Sequence, residues 1–134
     1  MRAFLLALLL MLGPIAPGAW AQQDQITATI NGQLDAFTHR DAAKAFSFAS
    51  PMIKRIFGTA DNFAAMVQNG YPMVWTPQAA EMMELRTVAG NLWQRVHITD
   101  VDGKGWVLDY EMVQTPDGWR INAVQLLQGT DLGA

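Results

Sequence analysis

Apolar positions change their spacing near residue 71, and that change divides the chain into two kinds of structure. Before it, Ile26, Ile30, Leu34 and Phe37 recur at steps of four, four and three. This is the spacing of one helix face and predicts a helix from about Gln25 to His39. Asp24 stands where its N-cap is expected, and His39 and Arg40 suit the negative end of its dipole. Asp41 then caps a short second helix with Ala42, Ala45, Phe46 and Ala49 on its apolar side. A residue before proline is pushed out of the helical region, so Ser50 is expected to be extended and to cap a third helix opened by Pro51. That helix turns Ile53, Ile56 and Phe57 inward and Lys54 and Arg55 outward, and Gly58 stops it. A fourth, from Asp61 to Asn69, buries Phe63, Met66 and Val67 before Gly70.

After Tyr71-Pro72 the pattern reads as strands: Met73–Thr76, Ala80–Ala89, Leu92–Val101, Trp106–Gln114 and Trp119–Leu127. The joints are Gly90-Asn91, Asp102-Gly103-Lys104-Gly105 and Thr115-Pro116-Asp117-Gly118, short enough to force antiparallel pairing. Helices followed by an antiparallel meander make an α+β protein, with a long N-terminal helix and short helices packed on a curved sheet. The last residues, Gln128 to Ala134, read as a frayed tail.

The N-terminus adds a compartment. Arg2, the apolar run Ala3–Leu12 and small residues around Ala19-Trp20-Ala21 read as a secretory signal peptide cleaved after Ala21. Gly13, Pro14 and Pro17 interrupt the run too early for a membrane span. The expected organisation is therefore a signal peptide over residues 1–21 and one domain over residues 22–134, exported to a periplasm or the medium, with no membrane insertion after cleavage. With no cysteine in the chain, neither disulfides nor a lipid-modified cysteine can anchor it. The net charge is −3, and losing Arg2 makes the remainder one unit more acidic. Nucleic acid is excluded as a partner on that ground, and anionic membrane surfaces are disfavoured.

The turn in "FTHRDAAKAF" resembles the link between the first two helices of the nuclear-transport-factor-2-like superfamily, also called cystatin-like cones. The stretches "FASPMIKRIFG", "NFAAMV", "YPMVWTP" and "YEMVQTPDGWRI" resemble a bacterial family known only as domain of unknown function 4864, over residues 25 to 127. The first resemblance implies a sheet curled around the long helix with a pocket at its open end, and dimerisation through the sheet. The second implies a fold and no catalytic residues.

Placing Val101 opposite Trp106 sets His97 against Tyr110 and Arg95 against Met112; in the next hairpin Met112 meets Ile121 and Tyr110 meets Ala123. Trp93, Arg95, His97, Tyr110 and Met112 then share the face expected to meet the helices and line a pocket for a small apolar ligand. An enzymatic alternative uses His97 as general acid/base, with Tyr110 and Arg95 orienting the substrate. No inner carboxylate is available as a base, because Asp109 and Glu111 fall on the other face. Ser50 lacks the context of a nucleophile, and capping explains His39 and Asp41. The other face carries Val96, Ile98, Val107, Val113, Val124 and Leu126, too apolar for free solvent, which predicts a cover by a partner or a second copy. The methionines of residues 22–134 (Met52, Met66, Met73, Met82, Met83 and Met112) are dispersed, so core filling is preferred to copper. No motif for a metal or cofactor is found, and the favoured function is a non-catalytic binding module.

Overall fold

The computed structural model describes residues 18–127, with side chains from residue 21. The greater part of the expected signal peptide and the expected C-terminal tail lie outside the described residues. The first helix, α1, spans Gly18–Thr38. It starts earlier than its apolar period, so Asp24 sits within the helix and not at its cap. Ile26, Ile30, Leu34 and Phe37 are all buried, as their spacing requires. Thr29, on the same side, donates its hydroxyl to the Trp119 carbonyl at 3.1 Å and ties α1 to the last strand.

Four short helices follow: α2 (Ala42–Ser47), α3 (Pro51–Phe57), α4 (Ala60–Gly70) and α5 (Pro72–Trp75). The caps of α2, α3 and α4 are written in the local sequence. Asp41 accepts from the Lys44 N–H, Ser50 from Ile53 and Thr59 from Asn62, each satisfying an otherwise orphaned donor. Gly58 leaves α3 at φ +75°, a conformation that favours glycine. Arg40, at φ +56° just past α1, sends its guanidinium to the carbonyls of Phe37 and Trp75 and lies 4.4 Å above the Trp75 ring.

The expected strand Met73–Thr76 is instead the helical turn α5. Pro72 takes the first helical position, where a missing N–H is harmless. Met73 and Val74 are buried side by side, which a turn of helix permits and an alternating strand does not.

The strands are β1 (Ala79–Val88), β2 (Asn91–Thr99), β3 (Gly105–Thr115) and β4 (Gly118–Leu127), in the order β1-β2-β3-β4 and antiparallel throughout. The β1–β2 turn is Ala89-Gly90, one residue before the expected joint, with both residues at positive φ, the backbone of a tight hairpin turn. Between β2 and β3, Asp100 organises the loop. Its carboxylate accepts from the N–H groups of Asp102 and Lys104, each at 2.9 Å, and from the Trp106 indole at 2.8 Å.

This loop overturns the expected register. Ile98, not Val101, stands opposite Trp106, and Gln94, not His97, stands opposite Tyr110. The slip is odd, so β2 shows its other side to the helices. Leu92, Gln94, Val96 and Ile98 face the core with Trp106, Leu108, Tyr110 and Met112. Beyond them Met112 meets Ile121 as expected, but a bulge in β4 sets Tyr110 against Val124 and not Ala123.

Candidate functional site

A cavity of about 290 Å³ lies between the helices and β3–β4. Ile53 and Phe57 of α3 form one wall, and Phe63, Met66 and Val67 of α4 continue it. The sheet side is made by Tyr110, Ile121 and the bulged run Asn122–Val124, with Gln33 and Tyr71 adding polar atoms. No charged side chain among the described residues lines it. The half-exposed state of Ile53, Phe57, Met66, Tyr71 and Val124 puts its mouth between α3–α4 and the edge strand β4.

The walls stand for local reasons. Phe63 packs against Phe46, Phe57 and Phe37 with ring centroids 5.3 to 5.9 Å apart, which anchors α4 and the far end of α3. At its near end α3 is pinned by Ser50. The Ser50 N–H donates to the Ile121 carbonyl at 2.8 Å, its hydroxyl to Asn122 Oδ1 at 2.8 Å, and Asn122 donates onward to Glu111 at 2.7 Å. Ala49 and Ile121 form a parallel bridge beside these bonds. No residue of α3 is fully buried; it is a wall, not a core element. Ile56, expected inward, points to solvent.

Of the residues expected to form the site, Tyr110 alone stands in the cavity wall, and its surroundings are unusual. The residue is fully buried, and its hydroxyl has no hydrogen-bond partner among the described residues. Burial, with the Tyr71 phenol nearby, pushes its pKa well above the ordinary value of 10.0. The group therefore stays protonated and acts as a neutral hydrogen-bond donor or acceptor. The Tyr71 hydroxyl is engaged, donating to the Val124 carbonyl at 3.3 Å. Met112 faces the same side but is packed in the core.

Trp93, Arg95 and His97 lie on the opposite face of the sheet from Tyr110, a direct consequence of the β2 register. The expected constellation of His97, Tyr110 and Arg95 is therefore not assembled. His97 lies across Gly105, where an added Cβ would stand 2.6 Å from its Nε2. Arg95 joins a network on that face. Arg86 grips the Asp109 carboxylate with two bonds of 3.0 and 2.7 Å, and Arg95 reaches Asp109 at 3.4 Å and Glu84 at 3.1 Å. Burial alone would push the Asp109 carboxyl up; the Arg86 bonds and charge, with those of Arg95, outweigh it and hold it below the ordinary carboxylate range. Val96, Ile98, Val124 and Leu126 belong to the inner side, leaving only Val107 and Val113 of the apolar set expected on the outer face. On that face Trp93, Val107, Val113 and Leu127 stand among the ion-paired Arg86, Arg95 and Asp109, a more polar surface than the one expected.

The sequence led to Ile53, Ile56 and Phe57 being expected to line or cover the pocket, and Ile53 and Phe57 do line it, whereas Gln33, Asn122 and the α4 wall were missed as parts of the site. Gln33 carried a signal, since it sits beside Ile30 and Leu34 on a buried helix face; its amide donates to the Ala45 carbonyl at 3.1 Å. No group of three or more His, Cys, Asp or Glu side chains among the described residues has the arrangement of a metal site, and none of the described helices is long and apolar enough to cross a membrane.

Comparison with known sequences gives one family: the sequence model of a domain of unknown function (DUF4864) matches residues 19–134. No curated protein matches the chain. Among solved structures, a phospholipid-binding protein from Ralstonia solanacearum, in complex with a phospholipid, aligns over 78% of this chain and 77% of its own, with 13% identity and a TM-score of 0.47. That likeness is too distant to transfer a ligand.

Proposed function

We propose, for a chain that belongs to the DUF4864 family and inherits no activity from it, that it is an exported binding module for a small uncharged amphiphile. The ligand is an apolar chain carrying one hydrogen-bond acceptor, held in the cavity between α3–α4 and β3–β4. The observation that carries this reading is Tyr110 in the wall of a mostly apolar, uncharged cavity, its hydroxyl fully buried and unpartnered among the described residues. Buried polar groups normally have partners; a ligand carbonyl or ether oxygen would supply one where binding opens the wall around Tyr110. The uncharged lining selects against ions, because a carboxylate or ammonium group buried there would be unpaired. At about 30 Å³ per water molecule the cavity holds roughly ten heavy atoms, at the small end of ligand sites. A long first helix against one face of an antiparallel sheet, with the cavity at its side, supports a nuclear-transport-factor-2-like cone as the architecture.

The test is a methyl NMR titration with 2-nonanone, nonane and nonanoate. Ketone binding should shift the methyl signals of Ile53, Val67 and Ile121, nonane should bind more weakly, and nonanoate weakest. Val67→Phe, which fills the cavity from α4, should abolish the shifts while the protein stays folded. Saturating ketone without any shift, or undiminished binding in folded Val67→Phe, would sink the reading. The enzymatic alternative has no geometric support, since His97 and Tyr110 face opposite sides of the sheet.

A further inference from the structure

One polar side chain in the cavity wall is only half accounted for. Gln33 sits on the inward face of α1 beside the buried Ile30, Leu34 and Phe37, is itself only 3% exposed, and lines the cavity. Its Nε2 donates to the Ala45 carbonyl at 3.1 Å, which ties α1 to α2. A carbonyl oxygen can only accept, so this bond fixes which half of the amide faces Ala45. Flipping the amide would set two acceptors against each other. The direction of Oε1 is thereby fixed as well. Among the described residues the bond to Ala45 is the only one that the side chain makes, so Oε1 accepts nothing.

Where that oxygen stands matters more than its lack of a partner. Three side-chain polar atoms are both sealed from solvent and unpartnered among the described residues: Gln94 Oε1, Arg95 Nε and the Tyr110 hydroxyl. Gln33 Oε1 is not one of them, so it borders open space, and for a side chain this deeply set in the wall that space is the cavity. The contrast with Gln94 is informative, because its oxygen is locked inside the fold away from the cavity lining. Tyr110 meets a ligand only where the wall opens, whereas Gln33 Oε1 meets whatever enters.

The chemistry of the entrant follows. A ligand that expels water without offering an N–H or O–H strands this acceptor, and a stranded acceptor lowers affinity. An ammonium group would satisfy the oxygen but bring a charge that no described lining residue neutralises. A primary amide would offer two N–H groups to one oxygen and leave the other unpaired in an apolar lining. A hydroxyl donates once, and its own oxygen keeps the acceptor that the cavity reading requires.

We propose that Gln33 is the specificity-determining residue of the cavity, its Oε1 accepting the O–H of an aliphatic alcohol whose chain lies against the lining residues Ile53, Phe57 and Val67. This rests on the cavity reading above and narrows it from any neutral acceptor-bearing chain to a hydroxyl-bearing one.

The experiment is an NMR titration of the protein with 2-nonanol and with 2-methoxyoctane, isomers that differ in the O–H, read at the wall methyl groups and at the Gln33 side-chain amide. Gln33→Met keeps the length of the side chain and removes the amide; the Ala45 carbonyl that it leaves still accepts from the Phe48 N–H at 3.3 Å. From parent to variant the alcohol-to-ether affinity ratio should fall about fivefold, the weight of one neutral hydrogen bond. Comparing ratios cancels the different hydration of the two isomers. In the parent, 2-nonanol should also displace the Gln33 amide signals further than the ether does, and this comparison decides the matter if Gln33→Met does not fold. An unchanged ratio in the folded variant, or equal displacement of the amide signals by both isomers, would refute the role of Gln33 and leave the cavity reading standing. Wall methyl groups that respond to neither isomer nor to 2-nonanone would remove the cavity reading and this assignment with it.

Discussion

Replacing Tyr110 by phenylalanine removes one oxygen and leaves the ring in place. The hydroxyl is sealed from solvent with no partner among the described residues, so the substitution breaks no protein hydrogen bond and strands no second group. A typical intramolecular hydrogen bond contributes about 1 kcal/mol net, and orphaning a buried partner costs about 1–3 kcal/mol. Neither loss applies here. Stability should therefore fall by less than about 0.5 kcal/mol, or rise by up to about 1 kcal/mol as a buried polar atom disappears. Binding should respond in the opposite direction. Losing a neutral hydrogen bond of about 1 kcal/mol weakens 2-nonanone about fivefold, whereas nonane, which has no acceptor, is unaffected. Urea unfolding followed by tryptophan fluorescence measures the first effect, provided the m-value is unchanged; the NMR titration measures the second. A loss of more than about 1 kcal/mol at constant m would show that the phenol has a protein partner. Equal weakening of ketone and alkane would show that it does not meet the acceptor.

Ser50→Ala removes an N-cap and the bond to Asn122, and should cost about 2 kcal/mol in urea unfolding, roughly half from each. Ala89→Asn places a residue that tolerates positive φ into the Ala89-Gly90 turn and should stabilise by about 1 kcal/mol, read as a higher urea midpoint. The Asp109 carboxyl titrates lower in the folded chain than when unfolded, where its pKa is about 3.9. Its contribution is thus fully present above that range and is lost as pH falls toward the folded value. Asp109→Asn should remove this part of the acid dependence, so a stability–pH curve below about pH 4 should flatten relative to the parent.

The helical half of the fold was legible because its signals are local. Buried positions in α1 follow a 3.6-residue period, and Asp41, Ser50, Pro51 and Gly58 each mark a boundary within a few residues of where they act. The strand Met73–Thr76 failed because β-rich composition was preferred over Pro72, which opens a helix as readily as Pro51 does. The site was less legible because it depends on register. Val101 read as a strand residue by its apolarity, but the Asp100 carboxylate holds it in a loop, where it is exposed. A correct clue was present in β2 itself: Leu92, Val96 and Ile98 occupy one parity, and Arg95, His97 and Thr99 the other. That alternation places the polar set outward, and the assumed hairpin joint overrode it. The β4 bulge carried no comparable signal; Asn122-Ala123 lacks the glycine that often marks one.

The same bulge helps to explain why the cavity sits where it does. Unbroken pairing would continue the inward series from Ile121 to Ala123, whereas the bulge passes it to Val124 and leaves Asn122 at the edge. There Asn122 accepts from Ser50 and donates to Glu111, holding the start of α3 against β4. The other end of α3 is held by Phe57 on Phe63, on a different element. A two-turn helix pinned at its ends to a strand and to another helix spans the gap between them instead of lying flat on the sheet. Its apolar sector is then only partly covered: Ile53 lines the cavity, and Ile56, about 60° round the helix from it, is exposed. An element required only for packing would bury one side and make the other polar. α3 keeps a polar side in Lys54 and Arg55, but its apolar sector from Met52 round to Phe57 is wider than the part that is covered, which fits a wall lining a cavity better than a core element.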